Sequence, residues 1–439
     1  MIGEFALPIR SSKAVGHRLR ILGDWLQRRQ DAVRAVQWSV VAVYYILLVV
    51  PAVLPPETGG GLVGRLAAWA EMLFWAVWWP GVLLFTLLFG QFWCGVLCPD
   101  GTVSEFASRH GLGGKIPGWV RKPGWALAAI AVTTFYEHLS HAYASPRAIL
   151  LSLGTTSLLA LLFGLMVGRS KRVWCRYLCP VGSIFSLLAR CAVLQFTVDR
   201  ERWDSAPKPL PRAVDCPLLL DVRRLRSNEK CSMCGRCSGH RGAVELGMRW
   251  PGSEIVRMGA ADIRNGDVIG IVFILFGVFF TASHAAAFRG WSSSLVALPL
   301  GGIPLWMTLA VCAVALAFLL WASLILLAGN VQVAKHLAYS LIPVITGGVI
   351  VAGLNYSLAV ASRWGLHPSS AVQDAQFALL AGLATWSVVL GALTLRRYRL
   401  AWPVVRYLGH GLVVAGQASL YLAAALPQWV GHHWIFSGA

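Results

Sequence analysis

Acidic side chains are scarce in this chain. Its 439 residues carry 19 Asp and Glu against 38 Lys and Arg, and charged residues make up only 13% of the sequence. A soluble domain carries about 25%, so a freely solvated globular enzyme is excluded. Nucleotide signatures are missing too. There is no GxxxxGK[ST] loop, and no GxGxxG run follows a predicted strand, which removes nucleotide-driven transport and a nicotinamide domain. Gly59-Gly60-Gly61 reads as a loop. No HExxH pair occurs, which removes a zinc-protease helix. No small-residue cleavage site follows the first apolar run, so the basic leader (Arg10, Lys13, Arg18, Arg20, Arg28, Arg29 and Arg34) reads as a cytoplasmic tail.

What the chain has is apolar sequence. Hydrophobic residues make up 57% of it, and the formal charge is +19. Apolar runs of about 20 residues, long enough to cross a bilayer as helices, recur at 36–54, 71–92, 124–143, 148–168, 267–287, 303–328, 337–359, 374–394 and 404–427. The Lys and Arg cluster between these runs. The positive-inside rule accounts for that pattern with membrane lipid as the partner and no nucleic acid. Threading with the basic tail inside puts 94–122 and 169–266 on the cytoplasmic side and the C-terminus on the opposite side. The expected fold is an all-α polytopic membrane protein of about nine helices with a small cytoplasmic insert. Four parts follow: a tail (1–35), a four-helix bundle (36–194), the insert (195–266) and a second bundle of about five helices (267–439).

Ten cysteines supply the chemistry. Phe92 to Arg109 reads FWCGVLCPDGTVSEFASR, and Val173 to Arg190 reads VWCRYLCPVGSIFSLLAR. Trp, Cys, Leu, Cys, Pro and Gly recur at equal offsets. Each copy offers two thiols at i and i+4: Cys94 with Cys98, and Cys175 with Cys179. Proline fixes the turn after the second cysteine, and Gly101 or Gly182 is expected to relax the backbone behind it. If the copies pack about a pseudo-twofold axis, the four thiols meet at the cytoplasmic membrane face. Copper is the rival occupant, since it also takes soft thiolates.

In the insert, Cys231-x2-Cys234-x2-Cys237 is the run that wraps three corners of a [4Fe–4S] cube. The fourth ligand is Cys216, followed by Pro217, or else His240. Four thiolates also suit tetrahedral zinc. Cys191 and Cys312 read as core residues.

The doubled W-C-x-x-L-C-P-x-G motif with a CxxCxxC insert resembles the membrane-bound ferredoxin-type proteins of the NapH and NosR kind, over roughly residues 36–266. The resemblance implies a bacterial inner-membrane protein with one or two [4Fe–4S] clusters. It would carry electrons between the quinone pool, or a cytoplasmic donor, and a partner redox protein. A related branch reduces and handles metals such as copper during assembly of respiratory enzymes. The resemblance implies an electron-transfer component rather than a stand-alone enzyme. The third reading makes residues 267–439 a transporter bundle regulated by the cluster.

Other ionisable groups are candidates for secondary sites. His138 and His141, one helical turn apart, could join His284, His432 and His433 in an outward copper or haem site. His336 and His410, at similar depth on different helices, could ligate a b-type haem. Glu71, in LAAWAEMLFWAVWW, is a candidate proton acceptor for a quinol, or an interfacial residue at a helix start.

Overall fold

The computed structural model describes residues 13–54, 61–122, 124–207, 214, 216–285, 305–365, 370–398 and 400–430. The chain is mostly helical, because in lipid every backbone N–H and C=O must be satisfied within its own segment. Among the described residues, seven helices are long and apolar enough to cross a membrane. The expected span at 124–143 forms Trp125–Leu139. Its 15 residues reach about 22 Å, short of a hydrocarbon core of about 30 Å. The expected span at 404–427 forms Pro403–Val430, where Arg406, His410 and Gln417 dilute the apolar run.

The chain divides into two compact units, each built from three stretches of sequence. The first comprises residues 1–49, 85–126 and 153–254. Here α1 (Lys13–Arg28) and α2 (Gln30–Val53) lead into the unit. The first motif forms the short α3 (Phe92–Val96) and then α4 (Pro99–His110). The second forms a π-turn, Trp174–Leu178, and then α5 (Pro180–Leu188). The insert is closed by two antiparallel strands, β1 (Leu194–Val198) and β2 (Val244–Met248), with Leu194 opposite Met248 and Val198 opposite Val244. From Lys13 the basic leader is helical. Helix α1 lies on β2 and brings Leu19 to the insert core, while Leu26 and Val33 pack with Val96 of α3.

The second unit comprises residues 50–84, 127–152 and 255–439. Its long helices pack side by side: Leu305–Ala328 on the Asn265–Ser283 helix, and Ile342–Arg363 on both Ser370–Arg396 and Pro403–Val430. Gly348 lets Ile342–Arg363 approach Tyr421, since a Cβ there would lie 2.2 Å from the ring.

Candidate metal centre

The two motif copies adopt one local structure. Cys98 is the N-cap of α4 and Cys179 the N-cap of α5, with backbone angles of −64°, 121° and −57°, 119°. Proline follows each at the first helical position, where its missing N–H costs nothing. The Cys98 N–H donates to the Trp93 carbonyl, and the Cys179 N–H to the Trp174 carbonyl, both at 2.9 Å. The glycines serve a different purpose from the expected one. Neither Gly101 nor Gly182 has a left-handed φ. Each instead leaves room for the cysteine three residues back. A Cβ on Gly182 would lie 3.5 Å from the Cys179 Sγ, and the Gly101 N–H donates to the Cys98 Sγ at 3.4 Å.

The structure brings the motif thiols together. Burial raises the Cys94 pKa well above the ordinary thiol value, with Cys98, Cys179 and Cys175 near enough to push it further. Burial likewise raises Cys98 and Cys179, and holds Cys175 at about 11. In the insert, Cys216, Cys231 and Cys237 share one apolar cluster with Met233, Val244 and Leu246. Burial raises Cys237, and the neighbouring thiols of Cys231, Cys234 and Cys216 add to it. Burial pushes Cys231 up to about 12 and raises Cys216. The Cys216 thiol thus stands among the insert cysteines. His240 turns elsewhere, against the Trp203 ring with centroids 5.0 Å apart. Cys191 is fully buried, as expected of a core residue.

Two groups of four cysteines, most of them partly buried, suit a soft, multi-iron group. Each iron of a cube takes a separate cysteine, so the four sulfurs need not converge on one point. Among the described residues, no group of three or more His, Cys, Asp and Glu converges tightly enough to hold a single ion.

The two groups abut. Gly95 lies so close to the insert loop that a Cβ there would sit 2.0 Å from the Ser232 carbonyl oxygen and 2.9 Å from the Cys234 nitrogen. Two glutamines of α2 pin this contact: Gln37 donates to the Gly95 carbonyl at 2.9 Å, and Gln30 to the Cys234 carbonyl at 3.2 Å. Beside it lies a charged hub that the sequence reading passed over. Arg172, 1% exposed, donates to the Cys94 carbonyl at 2.9 Å and to the Glu105 carboxylate at 2.8 Å. Glu105 also accepts from Arg236 at 2.6 and 2.8 Å and pairs with Arg109. A signal was available: Glu105 is one of only 19 acidic residues in the chain. A cavity of about 510 Å³ opens beside the hub, lined among others by Arg34, Arg109, Arg236 and His240.

The histidine candidates do not assemble. His336 sits on a separate short helix, Val331–Ser340, with Nδ1 bonded to the Tyr398 hydroxyl and Nε2 to the Ile255 carbonyl. His410 Nε2 faces the Ser387 carbonyl at 3.2 Å. Neither histidine offers that nitrogen to a haem. His138 is held by the Thr134 carbonyl and the Tyr143 hydroxyl, and His284 by the Phe280 carbonyl. His141 lies in the turn after the Trp125–Leu139 helix, at φ 51°. No metal-binding group forms around any of them among the described residues. His432 and His433 lie outside those residues. Glu71 is not at a helix start but ten residues into one that begins at Leu62, and it pairs with Tyr356 and Arg363.

Two segments, 71–122 and 151–199, match the family described as 4Fe-4S binding domain, and each contains one motif copy. The chain resembles the NapH-type membrane ferredoxins. Ferredoxin-type protein NapH of Haemophilus influenzae is 27% identical to it over 177 residues. The match covers 36% of this chain and 61% of that protein, less than two thirds of the relative's length. No solved structure matches significantly. Both motif copies thus lie in segments similar to a 4Fe-4S binding domain, in a chain with several helices apolar enough to cross a membrane. The insert cysteines lie outside both matched segments.

Proposed function

We propose that this protein carries electrons through two [4Fe–4S] clusters, linking a cytoplasmic donor or the quinone pool to a partner redox enzyme. The observation that carries this reading is the meeting of the two cysteine groups at Gly95 within one compact unit. Cys216, Cys231, Cys234 and Cys237 hold one cluster, and Cys94, Cys98, Cys175 and Cys179 hold the other. When bound, such a cluster takes up and releases single electrons at a potential set by charge, hydrogen bonds and exposure. The chain's residues bury the thiols, donate hydrogen bonds to sulfur and hold the two loops in register. No side chain makes or breaks a substrate bond.

The protein sits in the bacterial inner membrane with the N-terminus and insert on the cytoplasmic side and the C-terminus on the periplasmic side. This orientation rests on the Lys and Arg bias of the segments between spans. The cavity beside Arg34, Arg109 and Arg236 suits a carboxylate of an acidic electron carrier, steered there by charge.

Anaerobic purification with iron and acid-labile sulfide assays and low-temperature EPR tests the reading, on wild type, Cys234→Ser and Cys98→Ser. Two clusters give about eight iron per chain, with each variant losing a different signal. About four iron, lost only with Cys234→Ser, confines the cluster to the insert. Zinc in place of iron ends the redox reading.

A further inference from the structure

Arg172 is shared by both cysteine groups. Its guanidinium donates to the carbonyl of Cys94, while its main-chain N–H donates to the carbonyl of Pro217, the residue after Cys216, at 2.8 Å. The adjacent Lys171 ammonium reaches the Cys216 carbonyl at 3.1 Å. The Arg172 charge lies within electrostatic reach of Cys175 in one group and Cys234 in the other. Glu105 orients it, and the same carboxylate takes Arg236, which stands between Cys234 and Cys237. A buried cation needs a partner, because its desolvation is otherwise uncompensated. Here three arginines, Arg109, Arg172 and Arg236, share the single carboxylate Glu105, so the hub keeps an excess of positive charge. Four thiolates around an iron–sulfur core leave a negative site, which such an excess complements. The direction of the effect follows from Coulomb's law: a fixed buried cation favours the more reduced, more negative state of both sites.

Resting on the two-cluster reading above, we propose that Arg172, held by Glu105, is a positioning residue common to both clusters: it sets the spacing of the two cysteine loops and raises both reduction potentials together. A residue serving one cluster alone would touch one loop. Arg172 binds both, and Gly95 excludes any side chain from the interval between them.

The test is an EPR-monitored redox titration of the full-length protein in detergent, on wild type, Arg172→Gln, Arg172→Lys and Glu105→Gln. Wild type is read first, since about four iron per chain would end the two-cluster reading before any variant is considered. With two clusters present, Arg172→Gln should move both midpoints to more negative potential. Glu105→Gln should move both to more positive potential, and Arg172→Lys should stay close to wild type. Opposite signs in the two variants set charge apart from a packing defect. A shift at one centre only, no shift, or shifts of the same sign in both variants would overturn the proposal. If Arg172→Gln does not retain iron, loss from both centres with recovery in Arg172→Lys supports shared positioning. Loss from one centre alone overturns it.

Discussion

At Gly95 the main chain of one cysteine motif rests on the carbonyl of Ser232, and no larger residue fits. Gly95→Ala should therefore destabilise the first unit by about 1–3 kcal/mol through overpacking. Thermal unfolding in detergent checks this, and an unchanged midpoint would contradict the close approach. Glu105 supplies a second residue-scale prediction. Burial raises its pKa, but the Arg172 and Arg236 guanidiniums outweigh that and hold it at about 2, below the ordinary 4.5. With the folded value depressed, its contribution to stability is complete above about pH 5 and is lost as pH falls through 4.5 towards 2. Glu105→Gln should flatten the stability profile across that window in acid titrations of the unfolding midpoint. The cysteines were legible as candidates because of their fixed spacing, and both motif copies fall in segments that match a 4Fe-4S binding domain. Arg172 was not, because its partners are carbonyls at residues 94 and 217, and nothing in the sequence joins those positions.

The motif element is a turn that ends in a cysteine N-cap and re-enters a helix through proline. Its repetition, with matching backbone angles and matching Trp carbonyl acceptors, is why the doubling in sequence became a doubling in structure. Burial raises thiols in both groups, with Cys175 of the second motif held at about 11 and Cys231 of the insert at about 12. Ligation requires thiolate, so cluster assembly must release protons. Anaerobic reconstitution in weakly buffered solution should acidify the medium and should proceed further at pH 8.5 than at about pH 6.5. The helices read less well at their ends. The Trp125–Leu139 segment is shorter than its apolar run, and Glu71, read as a boundary, lies inside a helix paired with Arg363. Hydropathy registers the cost of an unpaired charge and not the partner that removes it.

For the whole molecule, the chain folds as two compact units whose segments interleave along the sequence. The positive-inside bias leads to a prediction at this scale: a reporter fused after residue 439 should be active only on the periplasmic side, and one fused at the N-terminus only in the cytoplasm. An even number of crossings would put both reporters on one side. The apolar composition, the spacing of eight of the cysteines and the recurrence of the motif from Cys94 to Cys175 were enough to point to a helical membrane protein with candidate soft metal ligands. Those properties are local, encoded in runs and short spacings. The meeting of Gly95 with Ser232, the convergence of Arg172 and Arg236 on Glu105 and the capture of His336 by Tyr398 and Ile255 were settled by folding. They depend on contacts between residues 62 to 137 positions apart, or on which of several acceptors a buried donor reaches, and no local pattern carries that information.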